Sequence, residues 1–224
     1  MQQVAAIPAY LHETYWWAYV HPRAVRLFER QWLVNLILWG NFAKLRDTAL
    51  AELGETLPGR TLQVACVYGD FTPRLSERVP EGASLDVVDV LPIQLANLRR
   101  KLPAAAAVNL INRDAADLGV PDFSYDRVVL FFLPHEMPLD VRRRTLAEAV
   151  RVLKPGGEIV IVDYHRPSPW HPLRAVMNWI LRTFEPFAMD LWRHEVSEWL
   201  PPAARLLRKE TFYGGLYQKL VITR

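Results

Sequence analysis

The sequence predicts an α/β fold: a seven-stranded, mostly parallel sheet that ends in a β-hairpin, preceded by a helical, aromatic-rich cap. Three observations carry that prediction. From residue 62 onward, short apolar runs alternate with helix-like segments, the pattern of parallel strands joined by crossover helices. The runs are apolar almost throughout, as in strands covered on both faces. Two last runs flank Gly214 and Gly215, a pair suited to a hairpin turn.

Each element follows from local chemistry. Residues 22–53 read as one or two helices, with Pro22 suited to a first turn and Gly54 to a C-terminal cap. Within them WLVNLILWG (32–40) is nearly all apolar, yet far short of the roughly 20 residues a membrane span needs. Flanked by Arg23, Arg26, Arg30, Lys44 and Arg46, it reads either as a core helix or as one that covers an apolar pocket or rests on a membrane surface. Strands are predicted at 62–67, 84–90, 106–111, 126–132 and 158–163, with helices near 73–79, 92–102 and 139–153. The aromatic and proline-rich stretch after Asp163 reads as a linker and two helices, inserted at about 166–200 before strands near 204–213 and 216–223. The organisation expected is a cap at 1–54 and a sheet domain at 55–224.

With 224 residues, 51% of them hydrophobic and 23% charged, the chain can bury a full core. A net charge of +3 in scattered short groups is too mild and dispersed to argue for nucleic acid by itself and would suit an anionic membrane surface equally well; the partners expected are a membrane surface and no nucleic acid. The single cysteine, Cys66, excludes an internal disulfide and fits a reducing compartment. The N-terminus lacks a basic stretch followed by an apolar run, so no signal peptide is expected. The expected location is cytoplasmic, peripheral on the inner face of the membrane.

In open parallel sheets, ligands bind outside the carboxyl ends of the strands. That rule selects Tyr68, Gly69 and Asp70 after the first strand, Asp89, Val90 and Leu91 after the second, and Asp114 with Ala115 after the third. Asp89, twenty residues after Gly69, is placed to accept both hydroxyl protons of a ribose. Asp114 is a candidate acceptor for an adenine amino group. Gly69 is the one glycine in the loop 65–70, and Tyr68 either contacts the ligand or fills space that a glycine would leave. After the fourth strand, FFLPHEMP brings His135, a candidate general base, beside Glu136. These two, with Asp163 and His165 from the fifth strand, are also candidate ligands for a divalent metal, although adjacent residues form no familiar chelate spacing. YLHETYWWAYVHP (10–22) holds five aromatic rings, among them Tyr15, Trp16 and Tyr19, suited to a flat apolar substrate or to a plain hydrophobic lid.

Over about 55–165, VVDVLPIQLANLRRKL, NRDAADLGVPDFSYDRVVLFFLPHEM and RVLKPGGEIVIVD resemble successive motifs of the Rossmann-like class I S-adenosylmethionine-dependent methyltransferases. The first motif departs: Gln63, Ala65, Val67 and Gly69 stand where that family has an acidic residue and a three-glycine loop. Over its whole length, including YWWAYVHPRAVRLFERQWLVNLILWGNF and VACVYGDFTPRL, the chain resembles the narrower family of rhodoquinone biosynthesis enzymes. This resemblance implies replacement of a ring methoxy group of ubiquinone by an amino group, with S-adenosylmethionine as amino donor and a divalent metal such as manganese. For that chemistry His135 is the expected base, with Glu136 orienting it or helping to hold metal, Tyr68 or a metal polarising a quinone carbonyl, and Tyr15, Trp16 and Tyr19 against the substrate. The alternatives are a conventional methyltransferase acting on a polyprenylated quinone or phenol, and a non-catalytic cofactor-binding scaffold.

Overall fold

The computed structural model describes residues 5–224, so the first four residues of the expected cap lie outside it. Seven strands form one sheet in the order β3-β2-β1-β4-β5-β7-β6. They are β1 (Arg60–Val64), β2 (Ser84–Asp89), β3 (Val108–Asn112), β4 (Tyr125–Phe131), β5 (Leu153–Tyr164), β6 (Arg205–Phe212) and β7 (Tyr217–Thr223). The pairs β1/β2, β2/β3 and β4/β5 are parallel. Strand β7 runs antiparallel to both β5 and β6, which gives the expected terminal hairpin. The chain divides into two compact units, Met1–Gly119 and Val120–Arg224.

In the first unit, residues 22–53 make three helices rather than one or two: α2 (Pro22–Phe28), α3 (Gln31–Ile37) and α4 (Phe42–Leu53), after a short α1 (Ala9–Thr14) and a single wide π-helical turn at Trp16–Val20. The break between α3 and α4 is made by Trp39 and Gly40, both at positive φ, and by the Asn41 amide, which donates to the carbonyls of Leu38 and Trp39. All seven residues of α3 are described and none is buried; Trp32 and Leu36 are 59% and 62% exposed. The apolar run 32–40 is therefore not a core helix. By contrast, α4 buries Phe42, Leu45, Ala49, Leu50 and Leu53 and ends at Gly54. The remaining helices of this unit, α5 (Phe71–Ser76) and α6 (Pro92–Lys101), begin directly after the strand-end loops, and so carry the loop residues with them.

In the second unit, α7 (Leu139–Val152) runs straight into β5. Strand β5 is longer than its apolar run, because LKPGG belongs to it. A side chain on Gly157 would bring a Cβ to 2.6 Å from the Asp126 carbonyl oxygen and 2.8 Å from Leu153 Cδ1, so glycine lets β5 lie close to β4. The insertion forms the expected two helices, α8 (Arg174–Phe184) and the single-turn α9 (Asp190–Arg193), with 3₁₀ turns at Pro186–Met189 and Val196–Trp199. Pro186 explains the stop, since it disfavours helical backbone at Glu185 and brings no N–H of its own.

Arg142 of α7 is completely buried and ties the insertion to the body of this unit. Its guanidinium donates to the carbonyls of Pro134, Met137 and Phe187, pairs with Asp190 at 3.2 Å and lies 4.5 Å over the Trp199 ring. Arg142→Met keeps most of the volume but takes the donor from three carbonyls, two buried and one half-buried. It is expected to cost about 3 kcal/mol, read as a lower denaturant midpoint.

Candidate functional site

Asp89 closes β2 and is 8% exposed. One oxygen accepts the Leu91 N–H at 2.8 Å and the other the Cys66 N–H at 2.8 Å. Burial pushes its pKa up to about 6, against the pull of those two backbone bonds. Each carboxylate oxygen has a second lone pair, so both can still accept a hydroxyl proton. Burial also pushes the Cys66 thiol up, which makes it a poor nucleophile. Between Val64 and Cys66 the chain passes through Ala65 at φ +69, the left-handed backbone that a glycine would adopt without strain. The loop has thus lost glycines but retains a glycine-like bend.

Around Asp89 the structure gathers residues that spacing did not single out. The Asn112 amide donates to the carbonyls of Asp89 and Val90, bracing the end of β2 from β3. Asp114 turns one oxygen onto the Ala116 N–H at 2.8 Å, spanning Ala115 in a tight turn, and both residues are only half-buried.

The far end of the loop is held by the cap. The Tyr68 hydroxyl donates to the Ala18 carbonyl at 2.8 Å and accepts from the Gln94 amide at 2.9 Å. Its ring stacks between Tyr19, with centroids 5.7 Å apart, and Phe28, at 6.0 Å. The Gly69 N–H donates at 3.1 Å to the carboxylate of Glu29, which also takes Lys101 Nζ at 2.8 Å and the Asn97 amide. A Cβ on Gly69, already at φ +81, would lie 2.8 Å from the Phe42 ring, so glycine here accommodates the cap. Asp70 is turned toward Arg46 and Arg74, at 2.8 and 2.7 Å. Burial raises its pKa, but the two arginines outweigh that and hold it below the usual range. Tyr15 is fully buried against Tyr19, whereas Trp16 is half exposed and packs edge-on to His21. Glu29, Asn97 and Lys101 were not foreseen, because nothing in their spacing links α2 to α6.

In the second unit, His135 lies in a short turn after β4 and is 4% exposed. Its Nδ1 is 2.8 Å from Asp163 Oδ1, and its backbone N–H donates to Asp163 Oδ2 at 2.9 Å. Glu136 Oε1 lies 3.8 Å from Nε2, and the Tyr164 ring stands edge-on with its centroid 4.9 Å away. Burial works against a charge on the imidazole. Asp163, with Glu185 and Glu136 behind it, prevails and lifts the pKa to about 9. At neutral pH the ring is an imidazolium, a hydrogen-bond donor rather than a ready base. Burial first, and then Tyr217 and Glu185, also push the Tyr164 phenol well above its ordinary value.

The expected metal site does not assemble. Among the described residues no group of three or more His, Cys, Asp or Glu side chains is placed to hold a metal ion. Asp163 is enclosed by His135 and the Tyr164 N–H, and His165 bonds the Gly215 carbonyl through Nδ1 while its Nε2 faces Lys209 at 3.0 Å. As placed, the four candidates are not gathered into a divalent-ion site.

Known proteins share both sequence and fold with the chain. Residues 61–157 match the model of a methyltransferase domain family. An uncharacterized methyltransferase of Synechocystis is 27% identical over 205 residues, 90% of this chain and 92% of the relative. A demethylmenaquinone methyltransferase of Thermus thermophilus is 33% identical over 136 residues, and that match spans 60% of each protein. Among solved structures, the N-methyltransferase NodS of Bradyrhizobium japonicum superposes with a TM-score of 0.61 at 16% identity, over 82% of this chain and 96% of NodS. The PH0226 protein of Pyrococcus horikoshii reaches 0.64 at 16% identity, over 97% of this chain and 99% of PH0226. The fold is the Rossmann-like class I methyltransferase fold with its terminal antiparallel strands.

The His135–Asp163 pair sets a pH dependence whose sign follows from the raised pKa. A histidine whose pKa is higher folded than unfolded stabilises the fold fully below its ordinary value of about 6.5, and that stabilisation is lost as pH rises to about 9. Unfolding midpoints are expected to fall across this window, with Asp163→Asn flattening the slope.

Proposed function

We propose that the chain is an S-adenosylmethionine-dependent methyltransferase whose acceptor is the ring of a lipophilic, prenylated quinone in its reduced form. The observation that carries the reading is the buried Asp89 carboxylate, anchored on two backbone N–H groups and still able to accept from a ribose diol. The methyltransferase-domain match over 61–157 and the demethylmenaquinone methyltransferase relatives support the reaction and the substrate class. When bound, the cofactor supplies an electrophilic methyl group on sulfur. Asp89 would hold its ribose, with Asp114 and Ala115 beside the adenine. Within the second unit, the raised pKa of His135 favours its charged form, a hydrogen-bond donor suited to an oxygen that gains negative charge. Glu136 and Asp163 would orient the imidazolium.

A second reading, transfer of the cofactor's amino group to ubiquinone with loss of a methoxy group, is favoured by one observation. Glu29 already takes the Gly69 N–H, and Tyr68 is fixed between Tyr19 and Phe28, so the end of the loop facing away from Asp89 is unlike a three-glycine loop. Such remodelling would suit a cofactor presented by its amino-acid end. The cap at about 1–54 completes this proposal as the part that meets the substrate and a membrane surface, through Trp16 and Tyr19 rather than Tyr15, which is fully buried against Tyr19.

Two cofactor preparations separate the readings, one labelled in the S-methyl group and one in the amino nitrogen, each incubated with a demethylated prenyl hydroquinone and with ubiquinone. Methyl label in the lipid supports methyl transfer, and nitrogen label supports amination. Binding of cofactor with neither label transferred would leave a scaffold. For the site itself, Asp89→Asn is expected to weaken cofactor binding ~10-fold or more by calorimetry, since a charged acceptor is lost. Undiminished affinity would remove Asp89 from the proposal.

A further inference from the structure

We infer that α8 and the turn before it form a docking element for an anionic lipid bilayer. The observation lies in the second unit and does not depend on which group is transferred. Helix α8 buries Met177 and Leu181 one turn apart. Its other side presents Val176, 44% exposed, and Trp179, 61% exposed, again at helical spacing. Phe184 at the helix end meets the Trp179 ring edge-on at 6.0 Å, so the two extend one apolar ridge. Just before the helix, Trp170 is 92% exposed, an extreme value for an indole, which is normally buried at least in part.

Charge identifies the occupant. From residue 164 to 184 the sequence holds Arg166, Arg174 and Arg182 and not one Asp or Glu. Arg166 and Arg182 are exposed, and Arg174 braces the turn by donating to the Pro167 carbonyl at 2.8 Å. Exposed tryptophans interleaved with arginines on an amphipathic helix match the chemistry of a bilayer interface. Indoles settle at the headgroup level, and guanidinium groups attract anionic lipid. A protein partner with an apolar groove would not require a stretch free of acids. A helix of 11 residues is too short to span, so the element lies in the surface. No helix among the described residues is long and apolar enough to cross a membrane.

Sedimentation of the full chain with vesicles of phosphatidylcholine alone, or mixed with phosphatidylglycerol, tests the inference. Binding to the mixed vesicles is expected, weakening with salt. Trp170→Ser with Trp179→Ser, and separately Arg166→Glu with Arg182→Glu, should each reduce the partition coefficient by ~10-fold or more. All four positions are exposed, and unchanged denaturant midpoints will show that the fold is intact. Wild-type protein that stays in the supernatant with both vesicles, or variants that bind as well as wild type, would overturn the inference. A self-association of the wild-type chain in sedimentation velocity that the tryptophan pair abolishes, with vesicle binding unaffected, would equally assign this face to a second copy.

Discussion

The first unit depends on one buried carboxylate. Asp89 ties the end of β2 to the Cys66 N–H just beyond β1 and to the Leu91 N–H at the start of α6. A carboxylate in so dry a place carries a desolvation cost, visible in its raised pKa, and is kept there by the backbone donors that face it. Those donors are themselves loop N–H groups that would otherwise be hard to satisfy. The same arrangement that stiffens the loop leaves acceptor capacity on both oxygens. In the proposed reading, structure and ligand binding draw on one side chain. The loop keeps its bend with a single glycine because the Ala65 N–H donates to the Val88 carbonyl at 2.8 Å and Asp89 holds the adjoining Cys66 N–H.

The cap is built into this loop. Tyr68, Gly69 and Asp70 each have a partner from α2, α4 or the π-helical turn: Phe28 and Ala18, Glu29, and Arg46 respectively. A glycine-rich loop offers bare backbone to a ligand, whereas this loop offers it to the chain's own N-terminal helices. Glu29 is the clearest instance, since a carboxylate on a loop N–H beside a lysine and an amide is the environment a small anionic ligand would seek.

The second unit uses the opposite electrostatic device. His135 is kept charged by Asp163, with Glu136 and Glu185 adding to the field, so burial fails to neutralise it. The edge-on rings of Phe132 and Tyr164 fix the imidazole's orientation. A buried cation of this kind is suited to stabilising developing negative charge, and it is held by groups that are spent on holding it. Both oxygens of Asp163 are engaged, by the His135 ring and backbone N–H and by the Tyr164 N–H.

The sequence by itself determined the strand and helix alternation, the terminal hairpin and the positions of Asp89 and His135 at strand ends. Those features follow from apolar periodicity, Gly/Pro punctuation and the rule that ligands sit at carboxyl strand ends, all of which are local or topological. Helix breaks were less legible: 22–53 became three helices because the backbone becomes extended at Arg30 and turns again at Trp39, Gly40 and Asn41, and hydrophobicity alone does not register that. What only the tertiary structure decided are the partners: Glu29 and Lys101 at Gly69, Arg46 at Asp70, Asp163 at His135, and Lys209 at His165. These residues lie 24 to 72 positions apart in the first three ion pairs. No spacing encodes such contacts, because they arise where separate elements pack, and packing chooses which oxygen, nitrogen or ring each side chain finally faces.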